Sequence, residues 1–228
     1  MTLLASYPFH WPVIWENGHL WYLLGGIKWT VILTVSSFGS SLILGTFIAL
    51  ARTSRFRALR WLTYIYVELF RTVPLLLGIL WVYYALPSLV PSLRLSAFQA
   101  AYLFFTLNLT AFVSEALRAG LLGIDRGQRW AALSLGMTPA QTFRRILLPQ
   151  SLRRVTPVLG SIWVALFKDT SLVYVIAISE ITYRSNRLGI QTYRQMEIYT
   201  ATMLLYFLIT WPQARIVDRL YDRFRTYE

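Results

Sequence analysis

The stretch WTVILTVSSFGSSLILGTFIALA, Trp29–Ala51, runs for 23 residues without a charge. At 1.5 Å per residue a helix of that length is about 34 Å long, enough to cross about 30 Å of hydrocarbon. Two further runs have the same character: Leu95–Ser114 with 20 residues and neither Pro nor Gly, and Ile198–Ala214 with 17, bounded by Glu197 and Arg215 and carrying Trp211 near one edge. Two more contain charges, Trp61–Pro87 around Glu68 and Arg71, and Val155–Ser179 around Lys168 and Asp169. Charges within apolar runs must face protein or water, since lipid would leave them unsolvated. The reading is an all-α integral membrane protein with five transmembrane helices.

Composition supports it. Of the 228 residues, 56% are hydrophobic and only 14% charged, against about 25% charged in an ordinary soluble domain. Aromatic residues make up 16%, which suits a chain with two membrane interfaces. The absence of cysteine excludes disulfides and thiolate metal sites. His10 and His19 alone do not build a metal centre.

The placement of charge orients the chain. Arg52, Arg55, Arg57 and Arg60 follow the first run; Arg118, Arg126, Arg129, Arg144, Arg145, Arg153 and Arg154 follow the third; Arg215, Arg219, Arg223 and Arg225 follow the fifth. Together these are 15 of the 22 basic residues, all on one side of a five-span chain. Short basic loops stay cytoplasmic, so the N-terminus is expected outside and the C-terminus inside. The net charge of +12 then reflects topology and anionic lipid, and gives no case for nucleic acid. Residues 1–28, with Trp11, Trp15 and Trp21, read as an interfacial lead-in on the outer side, 29–214 as the transmembrane domain and 215–228 as a cytoplasmic tail.

Between the third and fourth runs lies a cytoplasmic loop, residues 118–154, whose centre is GIDRGQRWAALSLGMTPAQTFRRILLPQ, Gly123–Gln150. Arg129–Leu135 predicts a two-turn helix stopped by Gly136. Thr138 offers an N-cap oxygen, Pro139 suits the first helical position, and Gln141 completes a Thr-x-x-Gln capping box. The second helix is expected to end at Leu148, because Pro149 disfavours continuation. The product is a helical hairpin, either a plain surface element or a docking element in which small Ala131 and Ala132 permit close approach to a groove.

These residues resemble the transmembrane permease subunit of an ATP-binding-cassette (ABC) importer for polar amino acids. That family's cytoplasmic signature is Glu-Ala-Ala, three residues, Gly, nine residues, Ile-x-Leu-Pro. Ala131, Ala132, Gly136, Ile146, Leu148 and Pro149 fill it, while Trp130 stands at the Glu position. Thr30–Ser54 is similar to the family's first span, Glu68–Leu76 (ELFRTVPLL) to the start of its second, and Glu115, Arg118, Gly120, Gly127 and Gln128 to the approach to the loop. Lys168–Tyr174 (KDTSLVY) resembles the Lys/Gln-Asp-Thr-Ser-Leu segment of amino-acid permeases, and its Asp-Thr-Ser-Leu-Val-Tyr wording with the Arg126–Gln128 approach is most similar to the branch carrying glutamate, aspartate and related polar amino acids.

The resemblance implies a type I importer-permease fold with a coupling-helix hairpin in the cell inner membrane. It implies two separate ATPase subunits, a second identical or homologous permease, an extracytoplasmic solute-binding protein and an amino-acid substrate. ATP and magnesium belong to the partner subunits, and no cofactor or enzymatic activity is expected of this chain, whose sequence has no Gly-x-x-x-x-Gly-Lys-[Ser/Thr] loop. Residues implied in ATPase coupling are Gly127, Arg129, Trp130, Ala131, Ala132, Gly136, Ile146, Leu148 and Pro149. Candidates for the path or its gating are Glu68, Arg71, Pro74, Glu115, Arg118, Lys168, Asp169, Thr170 and Ser171. Glu68 and Arg71, three apart, either pair structurally or handle substrate directly. Lys168 and Asp169 either neutralise one another or meet the carboxylate and ammonium of a zwitterion. A secondary transporter and a non-transporting assembly subunit are the competing readings.

Overall fold

Helix α2 (Ile27–Arg52) buries its smallest residues and exposes its largest. Thr30, Thr34, Ser37, Ser41, Gly45 and Ala49 recur every three or four positions along one buried stripe, whereas Val35, Ile43, Phe47 and Leu50 point outward. A water-soluble helix has the opposite pattern. In a bilayer, small residues let backbones approach and their hydroxyls return to their own helix, as Thr34 does to the Thr30 carbonyl at 2.8 Å. The partner is α6 (Ala97–Leu122), started by a Ser96–Gln99 capping box. A Cβ added at Gly45 would meet Val113 Cγ1 of α6 at 2.6 Å, so glycine sets this approach.

The computed structural model describes residues 8–225; residues 1–7 of the expected lead-in and 226–228 of the expected tail lie outside the described residues. Around the α2–α6 pair, in chain order, come α1 (His19–Leu24) after two short 3-10 turns, α3 (Arg57–Thr72), α4 (Leu75–Leu80), a π turn at Trp81–Ala85 and α5 (Leu86–Leu89). After α6 follow α7 (Arg126–Ser134), α8 (Pro139–Thr142), a π turn at Phe143–Leu147, α9 (Leu148–Asp169), a 3-10 segment Thr170–Ile176, α10 (Ile181–Thr192) and α11 (Gln195–Arg225). No strand occurs among the described residues. The main core joins Leu33 of α2, Ile79 of α4, Phe104, Phe105 and Leu109 of α6, Leu166 of α9, and Val173 and Ile176 of the 3-10 segment.

Of the five expected spans, three are single helical stretches and a fourth is a bent pair. Three helical stretches, Glu16–Arg52, Ala97–Leu122 and Pro139–Ile176, are long and apolar enough to cross a membrane. A fourth is a bent pair, Arg57–Thr72 and Leu75–Leu89, turned by 106° at Val73–Pro74, so the second run is a broken span. The run ending in the fifth place lies in α11, whose 31 residues suffice in length but are less apolar than the other three.

Two boundaries depart from expectation. The third helix passes Ser114 and continues to Leu122, because Glu115 is held by Arg52 at the end of α2 and by Arg118 one turn on. A carboxylate paired in this way no longer ends an apolar helix. Likewise Pro149 does not end the hairpin's second helix. In the π turn before it, the Leu148 amide reaches back to the Phe143 carbonyl, and Pro149 then occupies the first turn of α9, where its missing N–H costs little.

Candidate functional site

The hairpin is built by local rules that the structure fulfils. The Asp125 carboxylate accepts from the Gly127 amide and caps α7. At its other end Gly136 adopts φ +77°, with Met137 N–H donating to the Ala132 carbonyl at 3.2 Å and Gly136 N–H to that of Leu133 at 3.0 Å, a Schellman closure. Thr138 and Gln141 then cap α8 reciprocally, at 3.2 and 2.9 Å. Two contacts hold the arms together: Gln150 Nε2 donates to Gln128 Oε1 at 3.4 Å, and the Arg154 guanidinium donates to the Gly123 carbonyl.

Within this frame Ala132 is buried between the arms, while Gly127, Arg129, Ala131, Gly136 and Pro149 are exposed and Ile146 and Leu148 half-buried. The outer surface carries Trp130 at 65% exposure and Leu135 at 83%.

The polar segment of the fourth run lies at the far end of the same helical stretch. Pro139–Ile176 is continuous over 38 residues, so α8, α9 and the 3-10 segment connect the hairpin to Lys168, Asp169, Thr170 and Ser171. At Asp169 the backbone tightens from α to 3-10, and Ala177, at φ +60°, ends the segment. Thr170 is fully buried and donates to the Phe167 carbonyl at 2.8 Å, Asp169 and Ser171 are half-buried, and Lys168 is exposed. Among the described residues no ion pair joins Lys168 to Asp169.

Glu68 and Arg71 share α3 but form no ion pair among the described residues; the Arg71 guanidinium lies 5.9 Å from the centre of the Phe112 ring instead. Pro74 opens α4 after the break. Having no N–H, it leaves the Phe70 carbonyl without its helical donor, and Asn108 Nδ2 of α6 supplies one at 2.6 Å. Glu115 and Arg118 belong to the clasp with Arg52 at the base of α2 and α6, with Arg118 Nε 3.3 Å from Glu115 Oε2.

A second polar cluster has little signal in the sequence. Glu180, 1% exposed, accepts from the Thr182 and Tyr183 amides at 2.7 Å each and from the Tyr206 phenol at 3.0 Å. Burial pushes its carboxyl up to about 7, against the opposing pull of those three donors and of the Thr182 hydroxyl. Glu197, the expected edge of the fifth run, is fully buried; it accepts from the His10 amide at 2.8 Å and lies 3.8 Å from Arg194. An acidic residue directly before Ile-Thr-Tyr-Arg signals a helix cap, but nothing local points to Tyr206, 26 positions on.

An all-helical membrane fold with an exposed helical hairpin and buried polar segments defines a membrane permease component. The chain belongs to the family described as the binding-protein-dependent transport system inner membrane component, which matches residues 41–226. It is 32% identical to the glutamine transport system permease protein GlnP of Escherichia coli (strain K12) over 95% of this chain and 98% of that one. It is 33% identical to the L-cystine transport system permease protein TcyB of Bacillus subtilis (strain 168), over 98% and 95%, and 34% to the glutamate/aspartate import permease protein GltK of Escherichia coli O6:H1, over 95% and 99%.

Among solved structures, a crystal structure of an amino acid ABC transporter with histidines superposes with TM-score 0.86 at 28% identity, over 92% of this chain and 98% of that one. The inward-facing MetNI methionine ABC transporter shares the fold, with TM-score 0.68 at 20% identity. The all-α importer-permease fold expected from the sequence is therefore the fold found.

Proposed function

We propose that this chain is the translocation subunit of an ATP-driven importer of polar amino acids. The supporting observation is mechanical: the second arm of the exposed hairpin and the Lys168–Ser171 segment are the two ends of one 38-residue helical stretch. Trp130 and Leu135 lie on α7 and at its end, before the Gly136–Thr138 turn, and the Gln128–Gln150 and Gly123–Arg154 contacts tie that arm to the stretch, so a force applied to them passes through those contacts and along α9 to the polar residues.

The reading assigns ATP and magnesium to two separate ATPase subunits gripping the hairpin of residues 118–154, with Gly127, Arg129, Ala131, Ala132, Gly136, Ile146, Leu148 and Pro149 shaping its contact surface. Trp130 replaces a carboxylate there by an apolar anchor. Closure of the ATPase pair moves the hairpins, opens the path outward and admits substrate from a solute-binding protein; hydrolysis returns the path inward. The conduit is completed by a second copy or a homologous permease, with the N-terminus outside and the C-terminus in the cytoplasm.

At the polar segment Lys168 offers its ammonium to a carboxylate and Asp169 its carboxylate to an ammonium, the two ends of any α-amino acid, while Thr170 and Ser171 add hydroxyls. Relatives named for glutamine, cystine and glutamate/aspartate transport share that zwitterion and differ in side chain. Arg71 and the broken second span at Pro74 belong to the gate beside it, and the Arg52–Glu115–Arg118 clasp fixes the cytoplasmic base.

The test is uptake by vesicles holding the purified complex and its solute-binding protein, with labelled glutamine, glutamate, aspartate, arginine and cystine. ATP-dependent accumulation of at least one supports the reading. Uptake driven by an ion gradient without ATP identifies a secondary transporter, and a complex that assembles and moves none is an assembly subunit.

A further inference from the structure

Tyr206, in the middle of α11, is where three segments meet. Its hydroxyl donates to Glu180 Oε2 at 3.0 Å and stands 3.2 Å from Thr182 Oγ1, both at the N-terminal end of α10. On the other side its ring meets Phe167 edge-on, with centroids 6.5 Å apart, and the Thr170 hydroxyl faces its phenol. Phe167 and Thr170 enclose Lys168 and Asp169 in the chain. A single side chain therefore bridges the polar end of α9 and the beginning of α10.

The bridge is built more heavily than a helix cap requires. An ordinary N-cap is a small, exposed Ser, Thr, Asp or Asn. Here the capping group is a glutamate removed from water, which is tolerated only because two amides and a phenol saturate it. Helix α10 is fastened as firmly elsewhere. Arg184 Nη1 donates to the Tyr22 carbonyl at 2.7 Å, Ser185 and Thr202 bond each other, and Asn186 Nδ2 donates to the Tyr199 hydroxyl at 2.9 Å. Its outer surface is open, with Ile190 55% and Tyr193 88% exposed. In the five-span topology proposed above, this helix, between the fourth and fifth spans, lies on the side opposite the hairpin.

We propose that Glu180 and Tyr206 are positioning residues that carry contact made on the outer surface of α10, by the loaded solute-binding protein, to the Lys168–Ser171 segment. The inference rests on the importer reading above and adds to it the route by which the outside of the membrane addresses the polar segment. Movement of α10 displaces Glu180, Glu180 draws the Tyr206 phenol, and the phenol shifts Thr170 and with it the turn that presents Asp169.

The test uses the complete complex, with its ATPase subunits, in lipid nanodiscs, titrated with its solute-binding protein carrying glutamine, glutamate or arginine. Tyr206→Phe removes one hydroxyl and keeps the ring on Phe167. It is expected to lower the ratio of stimulated to unstimulated ATP hydrolysis about tenfold, within the usual range of coupling between sites, without changing the concentration of binding protein at half-maximal stimulation. A merely structural role would reduce the amount of intact complex and leave the ratio unaltered, and an unaltered ratio overturns the proposal. Thr182→Val, which deletes the hydroxyl that stands beside the phenol and also bonds the Glu180 carboxylate, is the second variant; it is expected to lower the same ratio, and no change overturns the proposal equally. Wild-type complex that shows no stimulation at all overturns the importer reading and this inference with it, whereas a stimulated wild type beside unaffected variants overturns this inference alone.

Discussion

Asn108 Nδ2 donates to the Phe70 carbonyl at 2.6 Å, replacing the hydrogen bond that Pro74 withdraws from α3. In a bilayer an orphaned carbonyl has no water to turn to, so the break in the second span depends on a side chain of the third. The 106° turn is therefore a joint property of Pro74 and Asn108.

Replacing Asn108 by Leu is expected to destabilise the permease by about 1–3 kcal/mol, the cost of leaving a buried acceptor unpaired. Thermal unfolding of the complex in detergent measures it. The same substitution on a Pro74→Ala background should cost clearly less, because alanine lets Val73, extended at ψ 126° beside the proline, turn helical and bring the residue-74 amide to the Phe70 carbonyl. Equal costs on the two backgrounds would show that Asn108 is not there for Pro74.

Gly78 faces the Phe104 ring so closely that an added Cβ would lie 1.8 Å from its Cζ. Phe104 is 4% exposed and belongs to the main core, so the ring has nowhere to retreat. Gly78→Ala should lower stability by about 1–3 kcal/mol through overpacking. Gly39, whose Cβ would meet nothing within 4 Å, is the control: alanine there should be neutral or stabilising by up to about 1 kcal/mol. A harmless Gly78→Ala would mean that α4 and α6 are not packed as described.

The Glu180 carboxyl, raised by burial from 4.5 to about 7, gives stability a definite pH dependence. Between those values the folded state binds more protons than the unfolded one, so stability falls as pH rises from 4.5 toward 7 and levels off above. The contribution of this group is about 3 kcal/mol across the window. Glu180→Gln, neutral throughout, should remove that part of the slope when unfolding is followed at several pH values. A mutant with the same slope as wild type would assign the pH dependence to other groups.

What is legible in the sequence is set by the range of the interactions. Gly136, Thr138, Pro139 and Gln141 can be read because each acts within four residues, and the structure has the positive φ, the capping box and the helix start at those positions. Pro149 reads as a stop in sequence because its true effect depends on the π turn before it, whose wide loop has no signature in residue type. Ser114 reads as a limit because the local Arg118 shows only half of the pairing of Glu115, the other partner Arg52 lying 63 positions away. Spacing puts Glu68 and Arg71 on one helix but does not show that Arg71 turns to Phe112. Glu197 reads only as the edge of the fifth run, and it takes the lead-in at His10 to cover it and Tyr206 of α11 to cover Glu180, neither of them near in the chain.

Trp130 separates the role of the hairpin from its stability. At 65% exposure it lends little to the folded permease, and Trp130→Ala should shift its unfolding by no more than about 0.5 kcal/mol. If the ATPase subunits grip the hairpin through this ring, the same substitution removes a large aromatic anchor from the contact, and such anchors cost about 2 kcal/mol or more when truncated. Affinity for the ATPase subunits, measured by titration in detergent, should then fall about 30-fold, since each 1.4 kcal/mol is tenfold. Trp130→Glu, which restores the carboxylate of the family signature, distinguishes two kinds of groove. A groove matched to the tryptophan binds the glutamate variant no better than the alanine one, whereas recovered affinity would mean that the ATPase surface still presents a partner for a negative charge. Unchanged affinity in both variants would move the grip away from α7.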